Sequence, residues 1–187
     1  MTSADHVLWL LMSTTLLLLI VPGIALFYGG MVRKKNVMNT MGLPFAVLAI
    51  VSLEWVFLGD QALFHLGNAN PIGQASDGSL LWSAYRGVMA SIALALVAGA
   101  IVERVRFSFF LVFGACWVLV VYLPLSHWFW GNGWLASLGV LDLSGGAVIH
   151  VSAGGSALVM AIVLGPRRGY GRIEMMPNHL PFSFCGA

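Results

Sequence analysis

Apolar residues run through the chain in long blocks that are separated by short polar stretches. Five blocks are long enough to cross a bilayer as helices, at about 20 residues per crossing. They cover residues 7–28, 41–58, 85–102, 107–129 and 143–164, and a sixth block begins at residue 180 and extends to residue 187. The pattern predicts an all-α polytopic membrane protein, with five transmembrane helices and the start of a sixth, in one domain over residues 1–187.

Composition narrows the class of function. Of the 187 residues, 59% are hydrophobic and 9% are charged, whereas a soluble domain carries about 25% charged residues. This excludes a soluble globular enzyme, a disordered chain and a nucleic-acid binder. Ser-His-Asp, HExxH and P-loop patterns are absent from the sequence, so we expect no enzyme, cofactor or metal. Cys116 and Cys185 lie in apolar context, which predicts small buried hydrophobes.

Basic residues alternate between loops and thereby orient the helices. Eight of the nine lie after the first, third and fifth apolar blocks: Arg33, Lys34, Lys35, Arg104, Arg106, Arg167, Arg168 and Arg172. The other loops hold Asp5, Asp60, Asp77 and Asp142, with Arg86 as their basic residue. The positive-inside rule predicts an outside N-terminus and a location in the cell membrane. The first block is too long for a signal peptide, so we expect it to be retained.

Two loop features follow from local chemistry. Residues 60–83 are rich in Gly, Asn, Gln and Ser, which predicts a surface loop with turns at residues 70–71 and 77–78. Glu103 stands beside Arg104, which predicts an ordinary interfacial ion pair.

His150 is the foremost polar residue at membrane depth. Its neighbours at helical spacing are all small: Gly146, Ala147, Ala153, Gly154 and Ala157. One interpretation is a close packing seam that His150 crosses with a hydrogen bond. The other is a narrow lumen lined by its imidazole.

Asp142 and a group of aromatic residues lie at the outer ends of the fourth and fifth blocks. Asp142 precedes an apolar run, which predicts a helix N-cap and leaves open an acidic field at an outer mouth. The aromatic residues are Tyr122, His127, Trp128, Phe129, Trp130 and Trp134. They form either an interfacial belt or a cation–π site for a small cation.

Several motifs, in colinear order, resemble the ammonium transporter (Amt/Mep/Rh) family. They are PGIALFYGG at 22–30, KNV at 35–37, ERVRFS at 103–108, WGNGW at 130–134, DLSGGAVIH at 142–150 and GPR at 165–167. The likeness covers the whole chain and matches the first half of the family pattern.

The resemblance implies a trimer of eleven-helix protomers, in which two five-helix repeats are related by an in-plane pseudo-twofold. Ammonium is recognised outside, loses its proton, and crosses a hydrophobic pore lined by two histidines. By match, Trp130 is the outer cation–π residue, Asp142 the acidic residue of the vestibule and His150 the first pore histidine. The partners implied are ammonium or ammonia, the lipid bilayer, a C-terminal half and, for some members, a PII-type regulator.

The sequence departs from the family pattern at the pore mouth. The outer site and the phenylalanine gate would fall at Tyr85 and Met89, and Arg86 replaces a commonly neutral residue. Leu143 stands where an aromatic residue or Ser is usual. The second pore histidine and helices six to eleven lie outside these 187 residues. Two alternatives therefore stand beside transport: an ammonium-sensing membrane module of a signalling protein, and a non-conducting truncated product.

Overall fold

The computed structural model describes residues 3–59, 77–131 and 133–187 as a bundle of helices. The helices are α1 (Ser3–Met31), α2 (Val37–Glu54), α3 (Asp77–Ile101), α4 (Phe107–Trp117), α5 (Trp134–Ser137), α6 (Ser152–Leu164) and α7 (Leu180–Gly186). A 3-10 turn at Lys34–Asn36 precedes α2. Helix α2 continues into a π-helical segment at Trp55–Gly59, and α6 is preceded by another at Gly146–Val151. Helix α4 continues through a third such segment, Val118–Tyr122, into a final helical stretch at Leu123–Trp130.

Five of these helices, with their π-helical extensions, are long and apolar enough to cross a membrane. They correspond one for one to the five predicted blocks, and the sixth block is the short helix α7. The all-α class and the five spans are therefore confirmed, and the chain is a multi-pass membrane protein.

Helix α3 is the centre of the bundle because it packs against α1, α2 and α6. Every residue from 87 to 95 along this helix is buried. Four alanines and a serine in and just after that run let the neighbouring helices approach closely, as small residues do in membrane interfaces. The Tyr28 hydroxyl donates to the Leu96 carbonyl at 3.2 Å, and this bond joins α1 to α3.

The last residues of the chain return along α1. The backbone N–H groups of Asn178 and His179 donate to the carbonyls of Val32 and Gly30 at 2.9 and 3.0 Å. One turn further on, the Ser183 hydroxyl donates to the Phe27 carbonyl at 3.0 Å. Of the three acceptors, the Gly30 carbonyl belongs to the last turn of α1, where the helix leaves its own acceptors free.

Three local predictions were wrong. Helix α3 begins at Asp77, so the turn predicted at residues 77–78 is the first turn of a helix. Cys116 and Cys185 are exposed, because the surface of a membrane helix is itself apolar and apolar context does not imply burial. Glu103 pairs with Arg33 and Arg167 instead of Arg104. The turn predicted at residues 70–71 lies outside the described residues.

Candidate functional site

Asp142 organises the start of the fifth span. Its carboxylate oxygen Oδ2 accepts hydrogen bonds from the backbone N–H groups of Ala147 at 3.1 Å and Val148 at 2.9 Å. Gly145, which lies between Asp142 and Ala147 in sequence, has φ 76°, a left-handed conformation that favours glycine. The prediction that the Asp142 side chain accepts backbone N–H bonds at the helix start is confirmed, although the N-cap position itself is Gly145. The capped residues are five and six positions ahead because the turn at Gly145 brings the chain back toward the carboxylate.

Trp130 is tied to the same residue. Its indole N–H donates to the Asp142 backbone carbonyl at 2.9 Å, which links the end of the helical stretch Leu123–Trp130 to the segment that leads into the fifth span. The indole is half-buried, so part of the ring stays accessible. Sequence alone placed Trp130 and Asp142 at one end of the membrane, and the structure brings them into direct contact.

The other aromatic residues of this region divide into two groups. Tyr122 is 0% exposed and lies in the core beside Trp55 and Trp117, with ring centroids 6.3 and 6.4 Å away. Trp128 and Trp134 are exposed and meet edge to face at 5.9 Å. We call the end of the bundle that carries Trp130, Trp134 and Asp142 the aromatic end.

His150 lies in the π-helical segment that opens the fifth span, and its side chain is exposed. Gly146 and Gly154, one turn to either side, are also exposed, whereas Ser152 and Ala153 are buried. Ala153, a member of the predicted small-residue face, therefore packs in the core. Within residues 3–59, 77–131 and 133–187, the part of the face formed by Gly146, His150 and Gly154 stays uncovered, and no hydrogen bond engages the imidazole. A seam crossed by His150 is therefore not formed within the described part of the chain.

The proposed gate residues lie on α3. Met89 is only 7% exposed and belongs to the core, whereas Tyr85 is half-buried and meets Trp82 edge to face at 5.7 Å. The Arg86 Cζ atom lies 5.8 Å from the Trp82 ring centroid, in range of a cation–π contact. No hydrogen bond or ring contact among the described residues joins Tyr85 or Met89 to Trp130.

Glu103 forms a second polar centre at the opposite end of the bundle, which we call the basic end. This end comprises the loops at residues 32–36, 102–106 and 165–179. The Glu103 carboxylate is 1% exposed and accepts from the Arg33 Nε at 3.0 Å, the Asn36 side-chain amide at 2.6 Å and the Arg167 guanidinium at 3.4 Å. Sequence reasoning missed this centre, although Glu103 is the one acidic residue in the first two of these loops.

The environment of Glu103 sets its charge. Burial raises the pKa of this carboxyl, but the hydrogen bonds from Asn36 and Arg33, together with the Arg33 charge, outweigh burial and hold the pKa below its ordinary value. Glu103 also has φ 66°, an uncommon conformation for a residue with a side chain. Its contacts therefore hold an ionised carboxylate in a strained backbone position.

Comparison with known proteins identifies the family. Residues 8–187 match the model of the Ammonium Transporter Family. The chain belongs to this family. Ammonium transporter Amt1 of Archaeoglobus fulgidus is 39% identical over 193 residues, which cover 99% of this chain and 49% of Amt1. This family member thus spans about half the length of the curated relatives that it matches.

Solved structures give the same result for the fold. The crystal structure of Candida albicans Mep2 superposes with a TM-score of 0.83 at 28% identity, covering 99% of this chain and 45% of that protein. A structure described as Sensor Amt Protein superposes with a TM-score of 0.86 at 26% identity, covering 97% of this chain and 50% of the other. The resemblance inferred from the motifs is confirmed, and so is the five-helix portion of the family fold.

Proposed function

We propose that this family member forms the N-terminal half of an ammonium transporter and supplies one wall of its pore. One observation carries the proposal. His150 lies exposed on a face of small residues, on the same span that Asp142 caps and Trp130 contacts. A polar side chain at membrane depth is costly unless it faces the interior of a bundle or a lumen. We infer that a second half completes a lumen along this face.

The aromatic end is suited to recognise a small cation. The accessible part of the Trp130 ring offers a cation–π surface, which contributes about 0.5 to 2 kcal/mol. The Trp130 N–H bond to the Asp142 carbonyl fixes the orientation of the indole. The carboxylate of Asp142 adds negative charge on the same residue whose backbone carbonyl Trp130 contacts. We assign Trp130 and Asp142 to the outer site, with Tyr85 as a further ring and Met89 at the gate position.

Passage beyond this site favours neutral ammonia. Moving an isolated ion of this size into a low-dielectric medium costs on the order of 20 kcal/mol, whereas a neutral polar molecule loses only its hydrogen bonds. A dry lumen therefore selects for the neutral ammonia that forms when ammonium releases a proton. The His150 imidazole has one donor and one acceptor nitrogen, so it can hold ammonia or pass a proton on.

The proposed assembly follows from the same assignment. We infer a trimer of complete protomers in the cell membrane, with the N-terminus outside and the basic end in the cytoplasm. The distribution of eight basic residues in alternate loops supports this orientation. A PII-type regulator would meet the cytoplasmic end.

Uptake of methylammonium by the full-length protein tests the pore assignment. We expect His150→Ala to reduce uptake about tenfold, because one lost hydrogen bond to ammonia costs about 1 to 2 kcal/mol. His6→Ala is the matched control, since His6 is exposed near the start of α1. Unchanged uptake in His150→Ala would contradict the assignment of His150 to the pore wall.

The cation–π role requires a separate pair of variants. Trp130→Phe keeps an aromatic face but loses the bond to the Asp142 carbonyl, whereas Trp130→Ala loses both. We expect the apparent affinity for ammonium to fall in the order wild type, Phe, Ala, with about a tenfold loss for Ala. An Ala variant that retains the wild-type affinity would contradict the assignment.

An ammonium sensor is the second candidate. Two observations favour it. The chain superposes on Sensor Amt Protein, and the Arg86 guanidinium lies over the Trp82 ring, where its positive charge would oppose the entry of a cation at the mouth. A sensor binds ammonium without sustained flux. Binding by calorimetry together with absent uptake would support the sensor, whereas uptake that saturates with ammonium would support the transporter.

A further inference from the structure

A basic cavity lies at the basic end, between all three of its loops. Its volume is about 460 Å³, and Arg33, Lys35, Arg104, Arg106 and Arg168 contribute to its walls. The one acidic residue in the wall is Glu103. The positive-inside rule accounts for basic residues in these loops. It does not account for their convergence on one cavity.

The charge of Glu103 is already compensated inside the protein. Its carboxylate is 1% exposed and is bound by Arg33 and Arg167. Lys35, Arg106 and Arg168 are exposed and form no ion pair with any other described residue. The cavity therefore presents the uncompensated positive charges of these three side chains, whereas the negative charge of Glu103 is already neutralised.

Arg104 adds an independent indication of an acceptor. One of its terminal nitrogens donates to the Ala161 carbonyl at 3.2 Å, which anchors the guanidinium near the end of α6. Its Nε–H is buried and has no hydrogen-bond acceptor within the described part of the chain. A buried donor without an acceptor costs about 1 to 3 kcal/mol. Because Arg104 lines the cavity, a small shift of its guanidinium toward a bound anion would supply the acceptor.

We propose that this cavity binds a phosphate group, with Arg104 as the fixed donor and Lys35, Arg106 and Arg168 as the converging cations. Guanidinium and ammonium donors around one space match the several acceptor oxygens of a phosphate. The position near the end of three spans also matches the depth of a lipid headgroup. The phosphate belongs either to an anionic phospholipid or to a soluble ion, and the binding chemistry is the same.

Two double variants distinguish binding in the cavity from nonspecific attraction to the basic loops. Lys35→Gln with Arg168→Gln removes two charges from the cavity wall. Lys34→Gln with Arg172→Gln removes two charges from the same two loops at positions outside the wall. Both doubles change the net charge equally, so a nonspecific electrostatic effect would weaken binding in both alike.

The measurement uses purified protein in phosphatidylcholine nanodiscs. In one arm phosphatidylglycerol is added and retained lipids are counted by native mass spectrometry. In the other arm inorganic phosphate is titrated and thermal unfolding is followed. We expect the cavity double to weaken binding about tenfold and the control double less than about twofold. Binding confined to the first arm identifies a lipid headgroup, and saturable binding in the second identifies a soluble phosphate.

Two results would overturn the proposal: equal effects of the two doubles, or no preference of the wild-type protein for either phosphate-bearing probe. Arg106→Gln, at an exposed position ahead of α4, provides a single substitution if the cavity double unfolds. It is expected to weaken binding severalfold, and unchanged binding in this variant counts against the site. The proposal does not depend on ammonium transport, because both readouts are independent of uptake.

Discussion

Individual residues determine how the two ends of this bundle are held together, and each does so through an unusual contact. Glu103 is an acidic residue that binds three side chains from other parts of the chain, at a positive φ. Asp142 is a cap whose bonds reach residues five and six positions ahead. Both residues link loops to helices, so we expect substitutions that remove either side chain to lower the free energy of unfolding.

Glu103→Gln is expected to lower the free energy of unfolding by about 1 to 3 kcal/mol at neutral pH, because an amide cannot compensate Arg33 and Arg167. The pKa of Glu103 is lower in the folded protein than the value of about 4.3 expected when unfolded. Its contribution is therefore present above pH 4 and is lost as the pH falls through the folded pKa.

Unfolding of the detergent-solubilised protein across this pH range checks the sign. The difference between wild type and Glu103→Gln should narrow on acidification. Glu174→Gln is the control, because Glu174 is exposed and forms no ion pair with another residue in the described ranges. A difference that is constant with pH would contradict the role assigned to the ionised carboxylate.

Two substitutions of Asp142 separate its role as a helix cap from its proposed role as a negative charge at the outer site. Asp142→Ala removes the cap and should cost about 1 kcal/mol of stability. Asp142→Asn keeps an acceptor oxygen for Ala147 and Val148 but loses the negative charge, so stability should stay near wild type while the apparent affinity for ammonium falls. Thermal unfolding and concentration-dependent uptake measure the two effects. Wild-type affinity in Asp142→Asn would show that its charge takes no part in the outer site.

Sequence predicted single residues well where chemistry was local and less well where it was tertiary. The cap at Asp142 depends on the turn that follows it, and the prediction was right. The partner of Glu103 depends on where three loops meet, and adjacency in sequence pointed to Arg104 instead. Burial of Cys116 could not be inferred either, because membrane-exposed and core positions have similar composition.

At the scale of elements, apolar blocks predicted the number and order of the spans but not their ends. Helix α3 extends eight residues before its predicted start, since its first turns mix Asp, Gly and Ser with Leu and Trp. Its central position was not predictable from hydropathy, which is similar in all five spans. The small residues around residue 90 were the signal that could have identified it.

The contact between α1 and α7 gives a prediction at this scale. A side chain at Gly30 would place Cβ 2.7 Å from both the His179 carbonyl oxygen and the Ser183 backbone nitrogen. These are backbone atoms that cannot move aside, so Gly30→Ala should destabilise the protein by about 1 to 3 kcal/mol. Resistance of the C-terminal segment to proteolysis should fall together with the unfolding temperature.

Gly42→Ala is the matched control for this contact. Gly42 lies within helix α2, and a Cβ there meets no atom within 4 Å. Because alanine favours helix more than glycine, this variant should be as stable as wild type or slightly more so. Equal losses in the two variants would show that α7 does not pack against α1 as described.

At the scale of the whole molecule, the family motifs carried more information than the physical pattern did. Hydropathy predicts a bundle, whereas the order of the motifs matches the first half of the ammonium transporter family pattern. The exposed face at His150 agrees with that interpretation. Physical reasoning without the motifs left a packing seam and a lumen as alternatives, because small residues serve both.

The exposed face of the fifth span leads to the last prediction. Residues 1–187 alone should not conduct, because His150, Gly146 and Gly154 form one wall without an opposite wall among the described residues. Expressed in a host that lacks ammonium uptake, the isolated chain should leave methylammonium accumulation at background. Joined to the second half of a relative such as the Archaeoglobus fulgidus Amt1, it should restore uptake that His150→Ala reduces. Uptake by residues 1–187 alone at the level of the joined protein would contradict the half-pore assignment, even if His150 itself proved essential.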